Sequence, residues 1–202
     1  MASATLIALF LLSALTFYAP STTAKLVKDW SGNTVSGTFY ILPSLFGAPG
    51  GGIRRFPTGN ESFPLSVVQS PFKDDKGLPV TISPIVPGRY RSVGEEVSIS
   101  FDYTPAGTSL FWTAVKGFPE GTLVKIGGYY PNPIIGSFYI RKSIFGLENS
   151  YNLLFCTSLI GVIPACGNVT IIENDKNFPL AVTPENPYEF RLEQYLPTSA
   201  DA

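Results

Sequence analysis

The side chains able to do chemistry in this 202-residue chain are few, and an absence narrows the field first: there is no histidine. That removes the Ser-His-Asp and Cys-His arrangements, in which an imidazole takes and returns the nucleophile's proton. It also removes the commonest ligand of catalytic zinc. Carboxylates remain, as Asp74-Asp75, Glu95-Glu96, and Glu185 with Glu189. Glycoside hydrolysis needs two carboxyl groups flanking a cleft with separated pKa values. Neighbours such as Glu95 and Glu96 point to opposite faces of an extended chain. Gly50-Gly51-Gly52-Ile53 sits in a β context and reads as a turn or bulge rather than a phosphate cradle. The chain does not read as an enzyme, and no cofactor or metal is expected.

The two cysteines, Cys156 and Cys166, take their meaning from the N-terminus. Leu6 to Tyr18 is nearly all apolar but spans only about 13 residues, too short to cross a bilayer of roughly 30 Å as a helix. Thr22-Thr23-Ala24 supplies small residues for a signal peptidase, although no Lys or Arg precedes the apolar run. Residues 1–24 therefore read as a secretion signal, with one mature domain over 25–198, bound for the cell exterior or the vacuole. In an oxidising compartment Cys156 and Cys166 read as one disulfide closing a short loop. Two thiols without histidine make a poor metal set. Asn60-Glu-Ser62 and Asn168-Val-Thr170 become possible glycosylation acceptors on the same route. No later segment reads as transmembrane, so the mature form is expected to leave the membrane.

Charge excludes another class. Fourteen basic and fifteen acidic residues are scattered, with no cluster that would track a phosphate backbone, so nucleic acid is not an expected partner. Lys73-Asp-Asp-Lys76 reads as a solvated loop.

Short apolar runs punctuated by proline and glycine must position whatever site exists. Phe39–Leu42, Leu65–Gln69, Val80–Ser83, Val97–Phe101, Leu123–Ile126, Ser137–Arg141, Asn152–Phe155, Val169–Ile172 and Glu189–Leu192 read as strands. In Val97-Ser-Ile-Ser-Phe101 the apolar residues face inward and the serines outward. No segment after the signal sustains helical spacing for ten residues. The stretch from Val35 to Gly47 returns as Ile135 to Gly146, with Gly37, Phe39, Tyr40, Ile41, Ser44, Phe46 and Gly47 recurring in order. Phe63-Pro-Leu-Ser-Val67 returns as Phe178-Pro-Leu-Ala-Val182. These echoes, with space for one diverged unit between them from Leu78 to Tyr130, predict three units of roughly 55 residues. Three units of four strands describe an all-β, pseudo-threefold β-trefoil, whose function should lie on loops around a rigid frame.

With those features in place, the order of motifs resembles the plant Kunitz inhibitors of the soybean trypsin inhibitor type, across Leu26 to Tyr195. Val27-Lys-Asp-Trp-Ser-Gly-Asn33 is similar to the family's opening, and Gly37-Thr-Phe-Tyr-Ile-Leu42 to its first strand. Gly51-Gly-Ile-Arg54, Pro57-Thr-Gly-Asn-Glu61 and Pro64-Leu-Ser-Val-Val-Gln-Ser70 form the most specific block. Asp75-Lys-Gly77, Phe118-Pro-Glu-Gly121, Val124-Lys-Ile-Gly127 and Tyr151-Asn-Leu-Leu-Phe-Cys156 follow in order. The resemblance implies a monomeric β-trefoil that inhibits a protease, of the serine class first of all, through a projecting loop. The alternative on the same fold is a non-inhibitory storage or binding protein.

That loop corresponds to residues 84–92, with Val86, Pro87, Gly88, Arg89, Tyr90 and Arg91 as the reactive segment. Matching forward from Pro84 sets Val86 before the addressed bond; matching backward from Val97–Phe101 sets Pro87 there. Neither suits trypsin, and Arg89 or Arg91 would serve only after a shift in register. The family's usual first disulfide is missing, because Phe63 stands where its cysteine belongs and Tyr103–Phe111 supplies no partner. The first connecting loop, Ser36-Gly37, is shorter than in the compared inhibitors, and the family's loop-bracing Asn falls in that gap. Between the cysteines, Leu159, Ile160, Val162 and Ile163 either tuck against the barrel or form an apolar docking patch.

Overall fold

The computed structural model describes residues 25–45, 47–58, 65–86, 91–102, 111–127, 129–145, 147–158, 163–174 and 177–197. The expected signal segment lies outside them. Among the described residues there are twelve strands and no helix. The first unit holds β1 (Thr38–Pro43), β2 (Ile53–Phe56), β3 (Ser66–Gln69) and β4 (Val80–Pro84). The second holds β5 (Glu96–Phe101), β6 (Trp112–Phe118), β7 (Gly121–Ile126) and β8 (Gly136–Lys142). The third holds β9 (Ser150–Thr157), β10 (Cys166–Ile171), β11 (Leu180–Thr183) and β12 (Phe190–Gln194).

Antiparallel pairing runs β12-β1-β4-β5-β8-β9 and returns from β9 to β12, closing a six-stranded barrel. Each unit gives its outer two strands to that barrel. Its inner two form a hairpin: β2–β3, β6–β7 and β10–β11. β7 pairs with both β3 and β11, and Val68 bridges to Pro179, so the three hairpins meet as a cap. This is the expected β-trefoil.

Period-two patterning explains the core. Val97, Ile99 and Phe101 are buried, as are Phe39 and Ile41 on β1 and Phe138 and Ile140 on β8. Ser98 and Ser100 are half-buried rather than outward in solvent, because β5 lies between β4 and β8. Phe101, Trp112, Phe138 and Phe155 touch in series, with ring centroids 5.8, 6.3 and 5.1 Å apart. Each buried side chain of this size contributes roughly 1.5–3 kcal/mol.

The first sequence echo has a different origin from the one expected. Threefold symmetry carries β1 to β5 and β9, whereas the second copy of the echo lies in β8, the counterpart of β4 and β12. Its shared glycines do different work. Gly37 has φ +85°, which favours glycine, and open space around it. A Cβ at Gly136 would lie 2.3 Å from the Cys156 carbonyl oxygen. The second echo is genuine, since its shared residues lead into β3 and β11, which are threefold mates. The middle unit accordingly runs from Glu96 to Lys142, later than the expected Leu78 to Tyr130.

The block Gly51-Gly-Ile-Arg54 and the turn Asp75-Lys-Gly77 form one knot. Gly52 N donates to Asp75 O (2.8 Å), and Ser70 N donates to Gly52 O (2.9 Å). The Asp75 carboxylate accepts from Ser70 Oγ (2.7 Å), Gly77 N (2.8 Å) and Arg54 Nη1 (2.9 Å). Lys73 and Asp74 are exposed, as a solvated loop requires, but Asp75 is half-buried and structural. Burial alone would raise its pKa. The hydrogen bonds from Ser70 and Gly77 and the Arg54 charge outweigh burial and hold it below the ordinary carboxylate value. A depressed carboxyl stabilises the fold above its unfolded pKa, and that contribution is lost as pH falls through the folded value. Urea unfolding between pH 5 and pH 2 should therefore show the stability gap between wild type and Asp75→Asn shrinking as pH falls.

Candidate functional site

β4 and β5 pair from Val80 opposite Phe101 to Pro84 opposite Val97, so the connector between them leaves the barrel from a rigid base. On the outgoing stem Ile85 N donates to Glu96 O (3.3 Å). Ile85 and Val86 are 47% and 51% exposed, a high value for aliphatic side chains. Proline at the head of this stem fixes φ and limits the shapes it adopts. Pro87, Gly88, Arg89 and Tyr90 lie outside the described residues.

The returning stem is fastened by the start of the described chain. Val27 N donates to Arg91 O (2.9 Å), Leu26 bridges Ser92, and Val93 N donates to Lys25 O (2.9 Å). Ser92 is buried, and Gly94 N reaches Ile140 O on β8 at 2.7 Å.

Arg91 is the unexpected residue. Its guanidinium turns inward, donating from Nη1 to Val35 O (2.9 Å) and from Nε to Ile82 O. Burial pulls its pKa below the ordinary value. One planar cation with five fixed donors thus joins β4, the first connecting loop and the returning stem. Arg91 cannot serve as the side chain offered to a specificity pocket without breaking both bonds. Arg91 belongs to the expected reactive segment, and its side chain ties the returning stem to Val35 and Ile82. A lone arginine in a loop carries no sequence signal of that role.

The other expected residues fall elsewhere. Cys156 and Cys166 are directly opposed on β9 and β10 and form the disulfide. Ile163 is 90% exposed, while Leu159, Ile160 and Val162 lie outside the described residues. Asn60 also lies outside them. Asn168 is half-buried on β10, where its Oδ1 accepts from Arg141 Nη2 (2.7 Å) and its Nδ2 donates to Glu185 O (2.7 Å). Nδ2 is the atom to which a glycan would be joined, so that sequon sits in an engaged strand rather than on a free loop tip.

The stems carry no nucleophile with a base beside it. What the region offers is a pair of stems, one paired within the barrel and one tied to the start of the described chain. A family model described as "Trypsin and protease inhibitor" matches residues 27–194. The chain belongs to this legume Kunitz family. It is 36% identical to trypsin inhibitor A of Glycine max over 196 residues, 88% of this chain and 89% of that protein. It is 32% identical over 168 residues to a chymotrypsin inhibitor of Erythrina variegata, covering 81% of this chain and 93% of that one. Soybean trypsin inhibitor in complex with porcine pancreatic trypsin superposes with a TM-score of 0.75 at 32% identity, over 85% of this chain and 99% of that one. The family expectation drawn from the motif order holds, and these relatives bear different protease names on one frame.

Proposed function

We propose that the protein is a secreted inhibitor of a serine protease, presenting residues 84–92 to the enzyme's cleft, with Val86 or Pro87 as the side chain that enters the specificity pocket. The observation that carries this reading is the pair of fastened stems. A loop already held in its bound form loses little conformational entropy on docking, and ordinary-sized protease–inhibitor interfaces become very tight for that reason. Family membership and the trypsin complex of the soybean relative support a serine protease as the partner. Trypsin itself is disfavoured, because its pocket is matched to Lys or Arg and Arg91 is turned inward.

Arg91 takes the part of the missing asparagine brace in this reading. Hydrogen bonds from a charged donor contribute about 1.5–3 kcal/mol each, part of which water replaces once the site opens. Assayed against trypsin, chymotrypsin, elastase and subtilisin, the protein is expected to inhibit at least one at sub-micromolar concentration. Arg91→Ala is expected to weaken that inhibition by about 10- to 100-fold and to speed cleavage of the loop, while the folded near-ultraviolet spectrum persists. Arg91→Lys should fall between, since an ammonium lacks the planar fork. Failure to inhibit any serine protease, with the loop digested as an ordinary substrate, would leave the storage or binding alternative.

A further inference from the structure

Three lysines gather beside the returning stem, and the inhibitor reading gives them no task. The start of the described chain, which fastens that stem, brings two of them. Val93 N donates to Lys25 O (2.9 Å), Leu26 bridges Ser92, and Lys28 follows Val27, whose N donates to Arg91 O (2.9 Å). The third, Lys142, ends β8. Tyr151 draws Lys28 and Lys142 together. Its Oη accepts from Lys28 N (2.7 Å), and Lys142 Nζ stands over its ring, 5.0 Å from the centroid. β8 is itself tied to the stem, since Gly94 N donates to Ile140 O (2.7 Å).

The three charges act on one another. Burial first, and then the Lys25 ammonium with a smaller contribution from Lys28, pull Lys142 below the ordinary lysine pKa, against the attraction of Glu148. Asp29, next to Lys28, is buried, and Asn33 occupies its carboxylate, donating from N to Oδ1 (2.8 Å) and from Nδ2 to Oδ2 (3.2 Å). Lys25 and Lys28 are exposed. Among the described residues none of the three lysines forms a salt bridge. Like charges grouped in this way repel one another in the folded chain. A negative surface brought against them relieves that repulsion.

We infer that Lys25, Lys28 and Lys142 form a second contact surface for the enzyme held at residues 84–92, and that the enzyme this chain fits carries an acidic rim where its cleft faces the returning stem. The inference rests on the inhibitor reading, because the returning stem is what joins the lysines to the loop. Its effect falls on the association rate. Charges at the rim of an interface steer encounter and set its salt dependence, and they alter dissociation much less. The whole chain has a formal net charge of −1, so overall charge does not attract an acidic enzyme, and this local face does.

The probes are the four proteases named above, each native and succinylated, a treatment that turns surface ammonium groups into carboxylates. Turnover of a small ester substrate shows that each active site survives. Association rate constants are measured at about 20 mM and about 500 mM salt, where the Debye length is roughly 20 Å and roughly 4 Å. At low salt the protein is expected to associate about 3- to 10-fold faster with the succinylated form of each enzyme it inhibits, and high salt should remove the difference. In the combined variant Lys25→Gln, Lys28→Gln, Lys142→Gln the acceleration should disappear, while dissociation changes by less than about twofold. Lys25→Gln with Lys28→Gln, both at exposed positions, should lose part of it and decides the matter if the triple variant does not fold. Lys73→Gln, at an exposed lysine of the β3–β4 connection, should keep it in full. No acceleration on succinylation, acceleration that persists at high salt, or acceleration retained in the triple variant would each overturn the inference while inhibition itself stands. So would saturable binding of dextran sulfate that the triple variant loses with association rates unchanged, which would assign these lysines to a free polyanion. Absence of inhibition by every one of the proteins would remove the loop reading first, and this inference with it.

Discussion

Pro87→Arg is expected to create strong inhibition of trypsin where the parent protein has little, a gain on the order of 10³-fold or more in affinity. The side chain entering the specificity pocket is the dominant hot spot of such an interface, and hot-spot truncations cost from about 2 up to about 4–8 kcal/mol, of which 10³-fold corresponds to about 4. The trypsin pocket holds an aspartate matched to a basic side chain, which proline does not supply. The register argument favours Pro87 over Val86. Counting back from β5 is anchored by continuous pairing of Glu96 and Val97 with β8 and of Val97 to Phe101 with β4. It is anchored again by Arg91 and Ser92, both fastened to the start of the described chain. Counting forward from Pro84 shares the β4–β5 pairing but has only the Ile85 N to Glu96 O hydrogen bond beyond it. Val86→Arg is the comparator. Inhibition constants for both variants should show the gain at position 87; a gain at 86 instead moves the addressed bond by one residue. No gain at either position, with the fold intact, would remove this loop as the inhibitory element.

What the sequence made legible follows from where each strand sits. All six barrel strands were readable as short apolar runs facing a continuous core, with strict alternation in β5 and an almost unbroken buried run in β9. Val97-Ser-Ile-Ser-Phe101 is the clearest case. The strands that escaped the reading, β2, β6 and β11, all belong to hairpins in the cap, where alternation breaks down. β2 carries Arg54 and Arg55 in its centre, of which Arg54 is there for Asp75. β6 shifts register between Val115 and Phe118. β11 has four residues and follows directly on Pro179.

The false echo has a similar lesson. β1 and β8 each turn the Phe and Ile of a Phe-Tyr-Ile run into the same core, so they resemble each other without being symmetry mates. Position in the closed sheet, which pairing alone reveals, separates them. At the candidate site, family motifs on both flanks are what single out residues 84–92 in the sequence. The inward turn of Arg91 carried no signal: an arginine in a loop is ordinarily solvated, and only the carbonyls of Ile82 and the sequence-distant Val35 engage it.

The largest expected effect on stability belongs to Gly52→Ala, and it separates two reasons for a glycine. Gly52 has an ordinary backbone conformation, so its lack of a side chain is required by space. A Cβ there would lie 1.9 Å from Lys76 O, 2.5 Å from Lys76 C and 2.9 Å from Leu42 Cδ2. Two of those atoms are backbone and cannot rotate away. Relief requires the Asp75–Gly77 turn to withdraw, which strains the Gly52–Asp75 and Ser70–Gly52 hydrogen bonds and the carboxylate cluster on Asp75. Overpacking against a rigid neighbour costs about 1–3 kcal/mol and sometimes more, and each strained hydrogen bond adds roughly 1 kcal/mol. A loss of about 3–5 kcal/mol is expected, a fall of roughly 6–20 °C in Tm for a domain of this size. Gly94→Ala is the control: Gly94 has φ +87° and nothing within 4 Å of its would-be Cβ, so only the left-handed backbone penalty of about 1–2 kcal/mol applies. Thermal and urea unfolding of the two variants should therefore differ by several degrees, with Gly52→Ala the weaker. Equal stabilities would mean that the turn yields freely, and that the Gly51-Gly-Ile-Arg54 block owes its character to something other than the close approach of the two backbones.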